Sequence, residues 1–217
     1  MVYGAIRVYF ERAYTAAVHG FARCAGILQR VRATGAKQEA EERITSSMKI
    51  KPLEIQRSAV LSGCQKHRYE LRRVWEPSEG MINIIGLNPS TADGFEDDPT
   101  IRRCIGFARD WGYGGFIMTN LFSYRLTDSR QLRYVKGDLN GLDAKATRIA
   151  AAREAVLVVA AWGSHDLARI QGLTIQRELA AYDIQLKCIK QTQPGVPWHP
   201  LYLPGNLKPI DFQGVPA

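Results

Sequence analysis

Met81-Ile82-Asn83-Ile84-Ile85-Gly86-Leu87-Asn88-Pro89-Ser90-Thr91-Ala92-Asp93 is the stretch from which the fold is read. An apolar run ends in glycine and is followed at once by Asn-Pro-Ser-Thr. The run predicts a buried strand over 81–87 that delivers an amide, a proline-fixed bend and two hydroxyls to one point. Gly86 lets the backbone turn or approach a ligand closely. Pro89 fixes its own φ and drives Asn88 towards an extended conformation. The ends of such strands in α/β sheets are where ligands bind. The same four residues also make an ordinary turn, so Asn88 reads either as a chemical group or as a turn residue.

Outward from this strand the chain alternates strands and helices. Residues 67–74 partly alternate and predict a strand, and 76–80 predict a turn. Asp98-Pro99-Thr100 opens a helix running to about Trp111, capped by Asp98 or Thr100. A second buried strand covers 116–120. Asp128 caps a short helix over 129–134, and another starts at Asn140 or Asp143 and ends near Ala152. The run 155–161 is the clearest strand, with a helix to about Ala180 after it and a last strand over 185–189. Near-continuous apolar strands alternating with helices imply a sheet covered on both faces. The expected architecture is a three-layer α/β/α domain with a central, mainly parallel sheet.

The chain has 217 residues, 46% of them hydrophobic, which suffices for one sizeable core. Residues 1–47 contain no chemical motif, and Met48 looks like a natural start. The expectation is a helical or loosely packed extension over 1–47 and a single α/β domain over 48–217. The formal charge of +8, with 29 Lys and Arg against 21 Asp and Glu, favours polyanionic partners, nucleic acid first. A basic protein without such a partner fits the same composition. No apolar stretch approaches the ~20 residues that span a bilayer, and the N-terminus is a poor signal peptide. The cysteines at 24, 64, 104 and 188 are scattered and form no metal-ligating pattern. A cytoplasmic protein with reduced thiols is expected, with no metal, no cofactor and no membrane partner. Neither a dinucleotide fingerprint nor a P-loop is present.

Four loops carry residues able to do chemistry: Gly86-Leu87-Asn88-Pro89-Ser90, Asn120-Leu121-Phe122, Ala161-Trp162-Gly163-Ser164-His165 and His199-Pro200-Leu201-Tyr202. In a parallel sheet they converge on one edge, so Asn88, Asn120 and His199 are expected to share a cleft. The Asn88 carbonyl can orient a water. Asn120 offers two donors and an acceptor, the pattern that reads an amide-like edge such as a pyrimidine's. His199 can donate to a developing anion or shuttle a proton. Each has a plainer reading: turn residue for either Asn, exposed or structural residue for His199, and cap or surface residue for His165. Asp93, Asp97 and Asp98 cluster, but turn and cap chemistry explains them better than a metal. Arg102 and Arg103 in the first helical turn oppose the helix dipole, which makes sense if they hold a phosphate or pair with Asp97 and Asp98. Arg125 points the same way; Arg109, Arg130 and Arg133 read as a solvated face.

These runs, together with Asp98-Pro99-Thr100-Ile101-Arg102-Arg103-Cys104 and Trp111-Gly112-Tyr113-Gly114-Gly115, resemble domain-of-unknown-function family 1643 of bacteria and phages over about 58–203. The order of motifs is also similar, more distantly, to the uracil-DNA glycosylase superfamily. That resemblance implies a strand-end loop at Asn88 that positions water, a base-reading Asn120, a Trp162-Gly163 strand end, and a His199-Pro200 loop. It also implies a stacking ring, for which Phe95, Phe107 and Phe122 are candidates. Two departures are plain. Asn88 stands where the most active members have an acid, as in the mismatch-specific branch, and Leu201-Tyr202 replaces Ser-Pro. The implied activity is hydrolysis of N-glycosidic bonds in DNA. Non-catalytic binding of a nucleotide or modified base, or an enzyme acting on free nucleotides, are the alternatives. The sequence assigns no oligomeric state.

Overall fold

The structure, a computed structural model, describes residues 54–90, 92, 94–193 and 195–214. The expected extension over 1–47 lies outside them. Leu53–Ala217 form one compact unit, a mixed α/β domain on a seven-stranded open sheet ordered β1-β2-β4-β3-β5-β6-β7.

The strands are β1 (Gln56–Leu61), β2 (Arg68–Val74), β3 (Met81–Gly86), β4 (Gly115–Asn120), β5 (Leu157–Ala160), β6 (Leu186–Cys188) and β7 (Ile210–Asp211). The helices are α1 (Pro99–Asp110), α2 (Ala144–Glu154) and α3 (Ala168–Ala180). The central strands β4, β3, β5 and β6 run parallel. The flanking strands β1, β2 and β7 pair antiparallel. The sheet is therefore mixed rather than mainly parallel. The reason is local for β2: a tight turn, Pro77–Glu79 within it, reverses the chain into β3, so β2 must run against β3 and hence against β4. Strands β1 and β7 escape a pattern-based reading because they are largely exposed edge strands with no apolar alternation.

Alternate residues of the parallel strands enter two hydrophobic clusters, as period-2 side chains must. Ile82, Ile84, Phe116, Met118 and Val159 pack with Ile101, Cys104, Ile105, Phe107 and Ala108 of α1. Ile85, Val158 and Ala160 pack with Ala152 of α2 and with Ala168, Ile175 and Leu179 of α3. Helix α1 forms because its apolar residues recur on one stripe. Pro99 stands in its first turn and the Asp98 side chain accepts from Ile101 N at 2.8 Å. Charged β2 is buried through pairing. Arg73, fully buried, meets Asp97 at 2.7 Å, and Arg72 bonds both Glu70 and Glu154.

In chain order the parallel strands are β3, β4, β5 and β6, and in space they lie β4-β3-β5-β6. The connection from β3 goes one way and the next goes back across it, so the order reverses between β3 and β5. The carboxyl ends of strands at such a reversal form a crevice.

Candidate functional site

The crevice is real: a cleft of about 680 Å³ opens at these strand ends. Backbone hydrogen bonds carry the parallel pairing past the strands and fix its walls. Leu121 N donates to Gly86 O, Phe122 N to Leu87 O and Ala161 N to Ile85 O, each at 2.9 Å. The segment after β6 begins and ends on this edge, because β7 returns antiparallel to β6. Its 3-10 turn, Pro200–Tyr202, therefore reaches the cleft.

The cleft brings together Gly86, Asn88, Ser90 and Asn120 from the β3 and β4 ends. Trp162 and Gly163 come from the β5 end, and His199 and Tyr202 from the turn beyond β6. Gly86 pairs in register with Asn120. A Cβ on Gly86 would lie 2.8 Å from Asn120 Oδ1, so the glycine makes room for the amide rather than for a bend. Asn120 is buried, and its Nδ2 has no hydrogen-bond partner among the described residues. A buried donor left unmade costs about 1–3 kcal/mol, a penalty that a ligand acceptor would remove. Arg148 of α2, itself buried, steadies this strand end by donating to Asn120 O at 3.2 Å while pairing with Glu178 at 3.3 Å.

Asn88 is held by its own amide. Its Nδ2 donates to Pro89 O at 3.0 Å and Leu126 O at 2.8 Å. With both donors engaged, the carbonyl oxygen is its remaining group, an acceptor able to orient a water.

His199 Nδ1 accepts from Leu201 N at 3.4 Å, which places the proton of the neutral ring on Nε2. Burial lowers its pKa, opposed by the charge of Asp98. The ring is thus a neutral Nε2–H donor near neutral pH. Gly163 has φ +73°, and a Cβ there would come within 3.2 Å of His199 Cβ. The Trp-Gly strand end is thus a seat for the histidine turn. Trp162 itself is core: it is 1% exposed, packs on Gly172 of α3 and meets Phe212 edge-on at 5.6 Å. His165 has both ring nitrogens engaged, with Ser129 O and Leu167 N.

Other expected residues lie elsewhere. Phe122 and Phe107 are buried in the two core clusters, and exposed Phe95 is not part of the cleft wall. The aromatic surfaces at the mouth are instead Trp198, 36% exposed, and Tyr202, 76% exposed. Pro89 is buried behind the wall, where its carbonyl receives Leu126 N. The three arginines expected to hold phosphate do not line the cleft. Arg102 bonds Asp97 O, Arg103 bonds Leu203 O and lies over Phe107, and Arg125 donates to Gln65 O at 3.4 Å. Local sequence shows a cation beside a loop; only packing shows which acceptor claims it. Arg68, the first residue of β2, does line the cleft and bonds Ala92 O. Its position inside a strand gave no signal. Asp97 is taken by Arg57 and Arg73. No group of three or more His, Cys, Asp or Glu able to hold a metal occurs among the described residues. No helix among them is long and apolar enough to cross a membrane.

An open, mixed α/β sheet with a cleft at the reversal of its strand order is the class of protein that fold and site define. Residues 68–201 match the family described as Protein of unknown function (DUF1643), and the chain belongs to it. No curated protein and no solved structure matches the chain.

Proposed function

We propose that this cleft receives a nucleobase and that the protein is a glycosylase-like hydrolase of N-glycosidic bonds in DNA, built as a three-layer domain of uracil-DNA-glycosylase type. The observation that carries the reading is Asn120: a buried amide with an unpartnered Nδ2, given its space by Gly86, in the wall of the cleft. A free donor asks for an acceptor, which favours a base presenting a carbonyl oxygen. The helices packing into two clusters from alternate strand residues support the three-layer arrangement.

In this reading a flipped base enters the cleft at an unstacking cost of a few kcal/mol. Asn120 reads its edge. The Asn88 carbonyl, fixed by its two donor bonds, orients water at the anomeric carbon. Neutral His199 donates from Nε2 to the departing base anion. Trp198 and Tyr202 offer stacking faces at the mouth, worth about 1–3 kcal/mol per base. One observation favours a second reading, a binding protein for a nucleotide or modified base without turnover: position 88 carries an amide, which cannot take a proton from water.

The test is incubation with single- and double-stranded DNA carrying uracil, mismatches and modified bases, followed by assay for abasic sites. Abasic sites that vanish with His199→Ala and Asn120→Ala are expected. If the wild type produces none on any substrate, the hydrolase reading falls. Saturable binding that Asn120→Ala weakens would then select the binding protein.

A further inference from the structure

We propose that Asp98 is the catalytic carboxylate of this cleft, facing His199 across the space where the sugar would sit. The inference rests on the glycosylase reading and supplies what position 88 lacks. Asp98 reads as a helix cap, and it is one: Oδ1 accepts from Ile101 N at 2.8 Å. That bond uses one of its two oxygens. The side chain also lines the cleft, as does His199.

Three further observations separate Asp98 from its neighbours. Asp97, one residue earlier, is neutralised by Arg57 and Arg73, whereas no Lys or Arg among the described residues forms a salt bridge with Asp98. Asp98 and His199 both line the cleft and form neither a hydrogen bond nor an ion pair with each other. The charge of Asp98 is nevertheless felt by the imidazole, where it works against the effect of burial. The cleft wall thus carries both a carboxylate with no salt-bridge partner among the described residues and a neutral N–H donor. Cleaving a glycosidic bond needs those two groups on opposite sides of the bond, because positive charge develops on the sugar and negative charge on the base.

The step balances with these residues alone. As the bond from the anomeric carbon to the base nitrogen breaks, its electron pair leaves on the nitrogen. The base anion is held by His199 Nε2–H. Water, oriented by Asn88, bonds to the anomeric carbon and its proton passes to the Asp98 carboxylate. Return of that proton to the base, through solvent, yields a free base and a sugar hydroxyl. The carboxylate also opposes a phosphate at the α1 N-terminus, a place that would otherwise attract anions, so that end of the cleft suits the sugar instead.

Two DNA probes test the proposal without turnover: oligonucleotides carrying either a neutral tetrahydrofuran abasic analogue or a cationic pyrrolidine one. Opposite charges ~4–6 Å apart at an effective dielectric of about 20 favour the cationic probe at least about tenfold. The wild type is expected to show that preference. Asp98→Asn keeps the cap, since Asn and Asp cap equally well; it is expected to hold the neutral probe at least as tightly and to lose the preference. Asp98→Ser, which also caps, is expected to behave alike. A preference retained in both variants overturns the proposal. So does a wild type that binds both probes equally, although base binding then stands. A wild type that binds neither probe overturns the glycosylase reading, and the role of Asp98 with it.

Discussion

Gly86 shows how a single missing side chain shapes the site. Its value lies less in backbone freedom than in the 2.8 Å that a Cβ would leave to Asn120 Oδ1. Gly86→Ala is expected to push the Asn120 amide out of its slot. Overpacking of this kind costs about 1–3 kcal/mol, and the loss of base affinity should exceed the loss of stability. Thermal melting alongside titration with a carbonyl-bearing base separates the two; a variant with wild-type affinity would show that Asn120 does not depend on the glycine. Asn88 teaches the complementary lesson. The sequence offers an amide at a strand end, but the structure spends both its donors on the loop itself, at Pro89 and Leu126. What remains for chemistry is an acceptor.

Among the elements, helix α1 links fold and site. Its buried stripe holds it against β3 and β4, and that packing brings Asp98 to the cleft. Removing the cap with Asp98→Ala should cost about 1 kcal/mol, read as a midpoint shift in urea with an unchanged slope. Asp98→Asn should cost almost nothing. If both variants destabilise equally, the carboxylate rather than the cap holds the helix. The 3-10 turn at Pro200–Tyr202 is placed by two things far apart in sequence: the β5 end through Gly163, and Arg103 of α1 through Leu203 O. The arginine expected to hold a phosphate instead fastens the turn that presents His199.

At the scale of the whole molecule, acid should weaken the fold in two stages. Burial alone would raise the Asp97 carboxyl, but Arg57 and Arg73 outweigh it and hold its pKa below the ordinary value. The unfolded chain then takes up the proton first. The stabilisation is complete above about pH 4 and is lost as pH falls through the folded value. His199 is also shifted down, by burial. The unfolded imidazole protonates first near pH 6.5, so stability falls as pH drops below that. The two slopes share a sign. A shallow decline beginning near pH 6.5 should disappear with His199→Asn, and a steeper one below about pH 4 with Asp97→Asn. Asp97→Asn should also cost about 3 kcal/mol at neutral pH, because Arg73 is fully buried. A stability curve flat from pH 7 to 5 would refute the first slope. Charge is unevenly spread along the chain: residues 1–52 carry 9 basic and 4 acidic groups, residues 53–217 carry 20 and 17. Of the +8 total, the α/β unit holds only +3. Attraction to polyanions by that unit therefore depends on local placement rather than on net charge.

The order of the helices and of strands β2 to β6, a cap at Asp98 or Thr100, and the convergence of the Asn88, Asn120 and His199 loops on one sheet edge were legible in the sequence by itself. Period-2 and period-3.6 patterns and turn chemistry are local, and parallel crossovers put strand ends on the same side. Tertiary structure alone decided which side chains face the cleft. It sent Phe122 and Trp162 into the core, gave Arg102, Arg103 and Arg125 to backbone acceptors, and brought Arg68 and Asp98 to the wall. Apart from Arg102, whose acceptor Asp97 O is five positions away, those outcomes depend on what packs against each residue from distant segments, such as Leu203 against Arg103. Local spacing carries no information about such distant partners.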